Sequence, residues 1–293
     1  MGWGEVFALA SALVWALAVI LMKRVGNTLP AFELNLFKNC LALVLLVPTI
    51  LLFNRLVLPG YSVIEFIVVF LSGIFGIAVA DTWYLKALNL MGASRTGIVS
   101  SLFSPFVILL STVFLAERMD PWQWLGFFLV ISGVLLVTWR VKHAVVDAVQ
   151  IKKGAIFGVG SMLMMALGVV MVKGILETQP LLWTIELRLL GGISGLVVYM
   201  LIKGQWKSVK QNFRRPHPWF TVITASFLAS YLSMILWLAG YKLIDASVAS
   251  ILNETNVVFI VLLAWLMLGE SVNGRKLAGI GLTVGGVLIM VLV

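Results

Sequence analysis

The chain has few of the residues on which enzymes, metalloproteins and disulfide-linked proteins depend. Among its 293 residues there are one cysteine, two histidines and 12 acidic residues. The single cysteine, Cys40, excludes an intramolecular disulfide and a cysteine metal cluster, and we interpret it as a packing residue. The sequence also lacks a nucleotide-binding loop, a metal-ligand cluster and a nucleophile paired with a base. It therefore predicts no catalytic residue, no metal site and no cofactor.

Charge is equally scarce, since 11% of the residues are charged and 61% are hydrophobic. A soluble domain of this composition would aggregate, so the bilayer must be the solvent. The apolar runs match the ~20 residues that cross a hydrocarbon core, and they do not alternate as strands do. The sequence predicts an all-α membrane protein with ten spans, at 3–23, 31–53, 63–91, 93–117, 121–139, 154–175, 181–202, 218–244, 246–269 and 274–293.

The second half of the chain repeats the first. Equivalent residues include Lys23/Lys173, Pro30/Pro180 and Lys38/Arg188 at an offset of 150, then Glu117/Glu270 and Gly133/Gly286 at an offset of 153. Charged and glycine positions shared in order indicate a duplication, with repeats at 1–150 and 151–293. Five spans carry the chain across the bilayer, so the second copy must be inverted. The first run has no basic leader and leads into further spans, so we expect it to be retained.

The net charge of +9 reflects topology rather than nucleic-acid binding. Of the basic residues, 14 lie in or next to the odd-numbered connections between spans, four lie in or next to the even-numbered ones, and three, Lys38, Lys86 and Arg188, lie well inside spans. The positive-inside rule then places the odd-numbered connections in the cytoplasm and both termini outside. The two histidines, His143 and His217, fall in these basic connections and are expected to be solvated.

A family resemblance rests on paired motifs near the ends of the two repeats. The first copy is Leu115–Pro121 followed by Trp122–Gly126 and Gly133, and the second is Leu268–Ser271 followed by Gly279 and Gly286. With Lys38 and Arg188 at equivalent positions, the chain resembles EamA-type members of the drug/metabolite transporter superfamily. The resemblance implies a ten-helix basket in which helices one, three, four, six, eight and nine surround a cavity used mostly for metabolite or amino-acid export. Members of that family are usually drawn with both termini in the cytoplasm, which is the reverse of the charge-based prediction.

Six ionisable groups stand out away from the ends of the predicted spans, and their formal charges sum to zero: Lys38, Asp81, Lys86, Glu186, Arg188 and Glu254. An unpaired ion at the bilayer centre costs at least about 2.5–3.5 kcal/mol, so these groups are either paired or functional. We interpret Lys38 and a Glu186/Arg188 pair as structural charges. Asp81 and Glu254, on helices that line the cavity in the resembling fold, are candidates for proton coupling.

Aromatic and polar residues near these charges predict a small-molecule site. Helical spacing places Asp81 with Tyr84, and Trp83 with Lys86. The predicted substrate-binding residues are Trp15, Asp81, Trp83, Tyr84, Lys86, Tyr231, Trp237, Tyr241, Ser250, Asn253 and Glu254. The alternative is that the aromatic residues face lipid or pack structurally.

Two further features have structural interpretations. Glu117 and Glu270 each follow an apolar helix and precede the next one, where a carboxylate can cap free backbone N–H groups. Pro105 lies inside the fourth span, where a proline kinks the helix and can act as a hinge.

The sequence thus predicts a secondary-active transporter that exports small metabolites such as amino acids by alternating access, with proton coupling. A zwitterion would place its carboxylate near a lysine and its ammonium near a carboxylate or an aromatic face. The alternatives are a multidrug or lipophilic-cation transporter and a non-transporting scaffold or receptor. The expected partners are a small molecule and the lipid bilayer, without nucleic acid, and the protein is expected as a monomer or homodimer in a bacterial inner membrane.

Overall fold

A computed structural model describes residues 2–54, 60–115, 121–138, 148–244 and 246–292, and the regular structure in these ranges is helical. The main helices are α1 Trp3–Val25, α2 Ala31–Asn54, α3 Val63–Met91, α4 in two segments Ala93–Ser100 and Phe103–Leu115, α5 Pro121–Thr138, α6 Ala148–Thr178, α7 Leu181–Ile202, α8 Trp219–Leu243, α9 Ala246–Leu268 and α10 Gly274–Leu292. A short helix, Trp206–Arg214, precedes α8.

The protein is an integral multi-pass membrane protein. Seven helices, α1 to α4 and α6 to α8, are long and apolar enough to cross a bilayer. Shorter apolar stretches lie in α5 and α9, at Trp124–Leu136 and Leu252–Leu268. The all-helical prediction is confirmed, whereas the count of ten spans remains a prediction.

Packing between the halves follows the repeat. Helix α1 packs against α8 and α9 of the second half, and α6 packs against α3 and α4 of the first. Helices α5 and α10 pack on each other through equivalent glycines. A Cβ at Gly133 would lie 2.8 Å from the carbonyl oxygen of Gly279, and one at Gly286 would lie 2.6 Å from that of Gly126. These glycines allow the two backbones to approach closely.

Helices α3 and α8 each contain a π-helical segment, Ile74–Asp81 and Phe227–Leu232. Both segments begin at positions related by the offset of 153 that the sequence repeat shows. π-Helical turns widen a helix locally and occur often at functional sites. Because the two segments begin at equivalent positions, residues of α3 align with residues of α8 at the offset of 153.

The described odd-numbered connections, which follow α1, α3, α7 and α9, lie at one end of the bundle, which we call the basic end. There Arg24 donates a hydrogen bond to the carbonyl oxygen of Met267 at 2.7 Å, and Lys23 donates one to that of Asn89 at 3.0 Å. The short helix lies at the same end, where the Asn212 amide donates to the Glu33 carboxylate at 2.6 Å. These contacts tie the start of α2 and the ends of α1, α3 and α9 together.

Candidate functional site

A central cavity of about 130 Å³ lies where the two halves meet. It is lined from α1, α3, α4, α6, α8 and α9, the six helices that the resemblance implied, and also by Lys38 of α2 and Arg188 of α7. The outer helices therefore contribute cations, while the six inner helices supply aromatic, hydroxyl and carboxyl groups. Seven of the predicted substrate-binding residues line this cavity: Trp15, Asp81, Tyr84, Trp237, Tyr241, Asn253 and Glu254.

One wall of the cavity carries a buried ion pair between Lys38 and Asp81. Their side chains are 3% and 9% exposed. The Lys38 ammonium also donates a hydrogen bond to the Ser230 hydroxyl of α8 at 3.1 Å, so it bridges the two halves. The attraction between the two charges offsets the cost of burying them, and Asp81 is therefore the partner of Lys38 rather than a free carboxylate.

Glu254 of α9 lies in a different environment. The Ser104 hydroxyl donates a hydrogen bond to its carboxylate at 2.8 Å, and the residue is 6% exposed. Within the described part of the chain, no lysine, arginine or histidine nitrogen lies within 4 Å of this carboxylate. At the residue before Glu254, the Asn253 amide oxygen accepts a hydrogen bond of 2.7 Å from the Ser11 hydroxyl, which links α1 to α9.

Aromatic rings form two sides of the cavity. The Trp15 and Tyr84 rings lie 5.5 Å apart, and the Trp237 and Tyr241 rings also lie 5.5 Å apart. The Phe103 ring lies 6.1 Å from that of Trp237. The rings therefore provide apolar surface and negative π faces next to the polar groups.

An apolar layer separates the cavity from the basic end. Tyr84 belongs to the same core cluster as the fully buried residues Met22, Leu88 and Met91, which lie closer to the basic ends of α1 and α3. Buried apolar side chains therefore lie between Tyr84 and the basic end.

Two predicted site residues lie elsewhere. Trp83 and Lys86 line a second cavity of about 920 Å³, between α2, α3, α6, α7 and the short helix. The Lys86 ammonium lies over the Phe157 ring, 5.3 Å from its centroid. Their spacing on α3 points them away from Asp81 and Tyr84, which face the central cavity. The structure thus places Lys86 and Asp81, which the sequence assigned to one site, in two different cavities.

Other predicted residues also fall outside the cavity wall or outside the description. Tyr231 is not in the wall, and its hydroxyl shares a hydrogen bond of 2.6 Å with that of Thr49 on α2. The side chain of Ser250 and the whole of Glu117 lie outside the described residues.

The expected Glu186/Arg188 ion pair is not formed, although both residues are described. They are two positions apart on α7, about 200° around the helix, so their side chains diverge. The Arg188 guanidinium instead donates a hydrogen bond to the Gly168 carbonyl oxygen of α6 at 3.1 Å. One carboxylate oxygen of Glu186 is buried and has no hydrogen-bond partner in the described part of the chain.

Glu270 caps a different helix from the one that the sequence suggested. Its carboxylate accepts hydrogen bonds from the backbone N–H groups of Ala93 and Ser94 at 2.7 and 3.1 Å, at the start of α4. Lys276 forms an ion pair with it at 3.5 Å. Burial opposes the charged form, but the hydrogen bonds from Ser94 and Ala93 and the charge of Lys276 hold the pKa of Glu270 below its usual value. The carboxylate therefore fastens the second half to the first at the basic end.

The fourth span is interrupted near its proline. Helix α4 breaks at Ser101 and Leu102, and a new segment begins at Phe103, two residues before Pro105. Pro105 has no N–H to offer the Ser101 carbonyl group. A kink in this span is present, and its use as a hinge remains a prediction.

Among the cavity residues that sequence reasoning missed are Ser11, Ser104, Met162 and Met165. Uncharged residues inside apolar helices resemble packing residues, so composition alone does not mark them. The repeat offered a signal, because Met165 occupies the position equivalent to Trp15 at an offset of 150.

Comparisons with known proteins agree with this architecture. The family model described as the EamA-like transporter family matches residues 2–139 and again residues 152–292. A solved structure, described only as the crystal structure of a protein, is similar in fold with a TM-score of 0.67 and 16% sequence identity, over 99% of this chain and 96% of that chain. No curated protein matches the chain.

Proposed function

Because the chain belongs to the EamA-like transporter family, whose members are transporters rather than enzymes, we propose that it exports small amphipathic metabolites such as amino acids through its central cavity. The membrane we propose is a bacterial inner membrane. The observation that supports this proposal is the central cavity between the two halves, which presents both signs of charge together with several aromatic rings. Inverted-repeat transporters bind substrates at the repeat interface and expose them alternately to the two sides.

The proposed transport cycle uses the two ends of the bundle differently. Contacts at the basic end, among them the Glu270 cap on α4, stabilise the present conformation. Loosening them, while the α4 break near Pro105 adjusts, would open the cavity toward that end. The substrate site stays in place as the halves move, and substrate is taken up at one end and released at the other.

For coupling, we propose Glu254 as the proton carrier in preference to Asp81. Its carboxylate has a hydroxyl partner in Ser104 and no cation within 4 Å among the described residues. It can therefore gain or lose a proton without breaking an ion pair. Asp81 would have to abandon Lys38 to do the same.

Counterflow in proteoliposomes tests the transport function. Vesicles preloaded with unlabelled phenylalanine or leucine should accumulate the labelled compound, and Glu254→Gln should retain this exchange while losing accumulation driven by a proton gradient. The matched control is Glu177→Gln, an exposed carboxylate of α6. The aromatic rings near Glu254 would also suit a lipophilic cation. Counterflow of tetraphenylphosphonium without counterflow of any amino acid would favour that alternative.

A further inference from the structure

Arg188 is a buried cation in the cavity wall without a carboxylate of its own. The residue is 4% exposed and lies in α7 among apolar neighbours. Its guanidinium donates to one backbone carbonyl group, and its Nε atom has no hydrogen-bond partner among the described residues. No carboxylate oxygen of the described residues lies within 4 Å of it. Asp81 acts on it electrostatically, but that carboxylate is already paired with Lys38.

The sequence repeat explains how this imbalance arises. Arg188 is equivalent to Lys38 at an offset of 150, so both halves place a cation at this position. At the offset of 153, which the two π-helical segments share, the residue equivalent to Asp81 is Met234. Met234 lines the same cavity as Arg188. The second half therefore has the cation of the first half without its carboxylate.

Such a group is costly unless an anion reaches it. A cation buried at the depth of a membrane span is expected to pair with an acid or to face a functional cavity. An arginine can hold a carboxylate with two parallel N–H···O bonds, which makes it selective for that group. Glu254 and the aromatic rings lie elsewhere in the wall, where an ammonium and an apolar side chain could bind.

We propose that Arg188 binds the carboxylate of the transported substrate, in the place that an acidic residue equivalent to Asp81 would otherwise occupy. The inference rests on the proposed transport function and defines its substrate class as carboxylates with an amphipathic body. It replaces the lysine contact expected from the sequence, since Lys38 is paired and Lys86 lies in the second cavity.

A first experiment needs no substrate. Met234→Asp restores the acid that the repeat predicts, and Met234→Asn is the isosteric uncharged control. In the substrate-free purified protein, the aspartate variant should have a higher thermal midpoint than the asparagine variant. This difference should vanish when Arg188→Gln is added to both. Equal midpoints for the two Met234 variants, or the same difference without Arg188, would overturn the proposal.

A second experiment uses three probes of one shape: phenylalanine, phenylalaninamide and phenethylamine, of which only the first has a carboxylate. The wild-type protein should be stabilised most by phenylalanine. Arg188→Gln and Met234→Asp should each weaken phenylalanine binding at least tenfold and phenethylamine binding much less, and Arg188→Lys should keep part of the affinity. An unchanged preference for phenylalanine in Arg188→Gln would contradict the assignment.

The two proposals can fail separately. If phenethylamine and phenylalanine undergo counterflow equally well, the result supports the transport function but contradicts the binding of the substrate carboxylate by Arg188. If no compound undergoes counterflow, the transport proposal falls, while the Met234 series still decides whether Arg188 requires an anion.

Discussion

The cluster of Lys38, Asp81 and Arg188 predicts an unequal response to two substitutions that break the same ion pair. As it stands, the cluster has two cations and one buried carboxylate, and its net charge is positive. Asp81→Asn leaves two buried cations with no acid between them. Lys38→Met leaves Asp81 with Arg188 as its remaining cation, and the cluster becomes neutral.

The magnitudes follow from this difference. Removing one partner of a buried ion pair costs about 3–5 kcal/mol, and we expect Asp81→Asn to reach that range. Lys38→Met removes charge-assisted hydrogen bonds, which are worth about 1.5–3 kcal/mol. It leaves the Arg188 guanidinium as an electrostatic partner for Asp81. It should therefore be the milder variant. The double variant Lys38→Met/Asp81→Leu restores the original excess of one cation, so it should be less destabilised than Asp81→Asn alone.

Equilibrium unfolding in detergent micelles, followed by circular dichroism over a denaturant series, measures these differences. Glu177→Gln, an exposed carboxylate variant, should leave the midpoint unchanged. If Lys38→Met proves as destabilising as Asp81→Asn, or more so, Arg188 does not stabilise the Asp81 carboxylate electrostatically. The charge argument for this wall of the cavity would then be wrong.

Three other predictions concern the frame around the cavity. The pKa of Glu270 is lowered below its ordinary value of 4.5 in the folded protein, so its contribution to stability is present at neutral pH and is lost as pH falls through the lowered pKa. The difference in thermal midpoint between wild type and Glu270→Gln should therefore shrink on acidification below pH 4.5. A constant difference would contradict the role of the Glu270 carboxylate as a cap of α4. Gly133→Ala should destabilise the protein by about 1–3 kcal/mol, because the added Cβ would collide with the backbone of α10. Gly285→Ala should not, because its Cβ would have no described atom of a neighbouring residue within 4 Å. Equal unfolding midpoints for the two variants would contradict this packing. With Cys40→Ser as background, a cysteine at Gln211 in the short helix should resist a membrane-impermeant maleimide in intact cells and react after permeabilisation, and reaction in intact cells would reverse the predicted topology.

The helical fold could be predicted from the sequence because each span is a long apolar run, and period and length are local properties. The family could also be predicted, because the paired motifs near the ends of the two repeats resemble those of EamA-type transporters. Helical spacing paired Asp81 with Tyr84 and Trp83 with Lys86, although all four were predicted to belong to one site. It could not show that the second face borders a different cavity, because that depends on α2, α6 and α7.

The contacts made by the charged side chains could not be predicted from the sequence. Glu186 and Arg188 are close in sequence and opposite in charge, yet the helix points them apart. Lys38 finds its acid 43 positions away on α3, and the Glu270 carboxylate caps a helix 177 positions away. Such contacts are set by how the helices pack across the two halves, which a single sequence does not display.

The central claim, that substrate passes through the cavity between the halves, is tested most directly by two neighbouring methionines of α6. Met165 lines the cavity and Met164 does not, and both are half-buried. In proteoliposomes made with the Cys40→Ser background, a small methanethiosulfonate should block phenylalanine counterflow in Met165→Cys, and added substrate should slow this modification. Met164→Cys should show neither effect. Complete modification of Met165→Cys with counterflow unchanged would contradict the account.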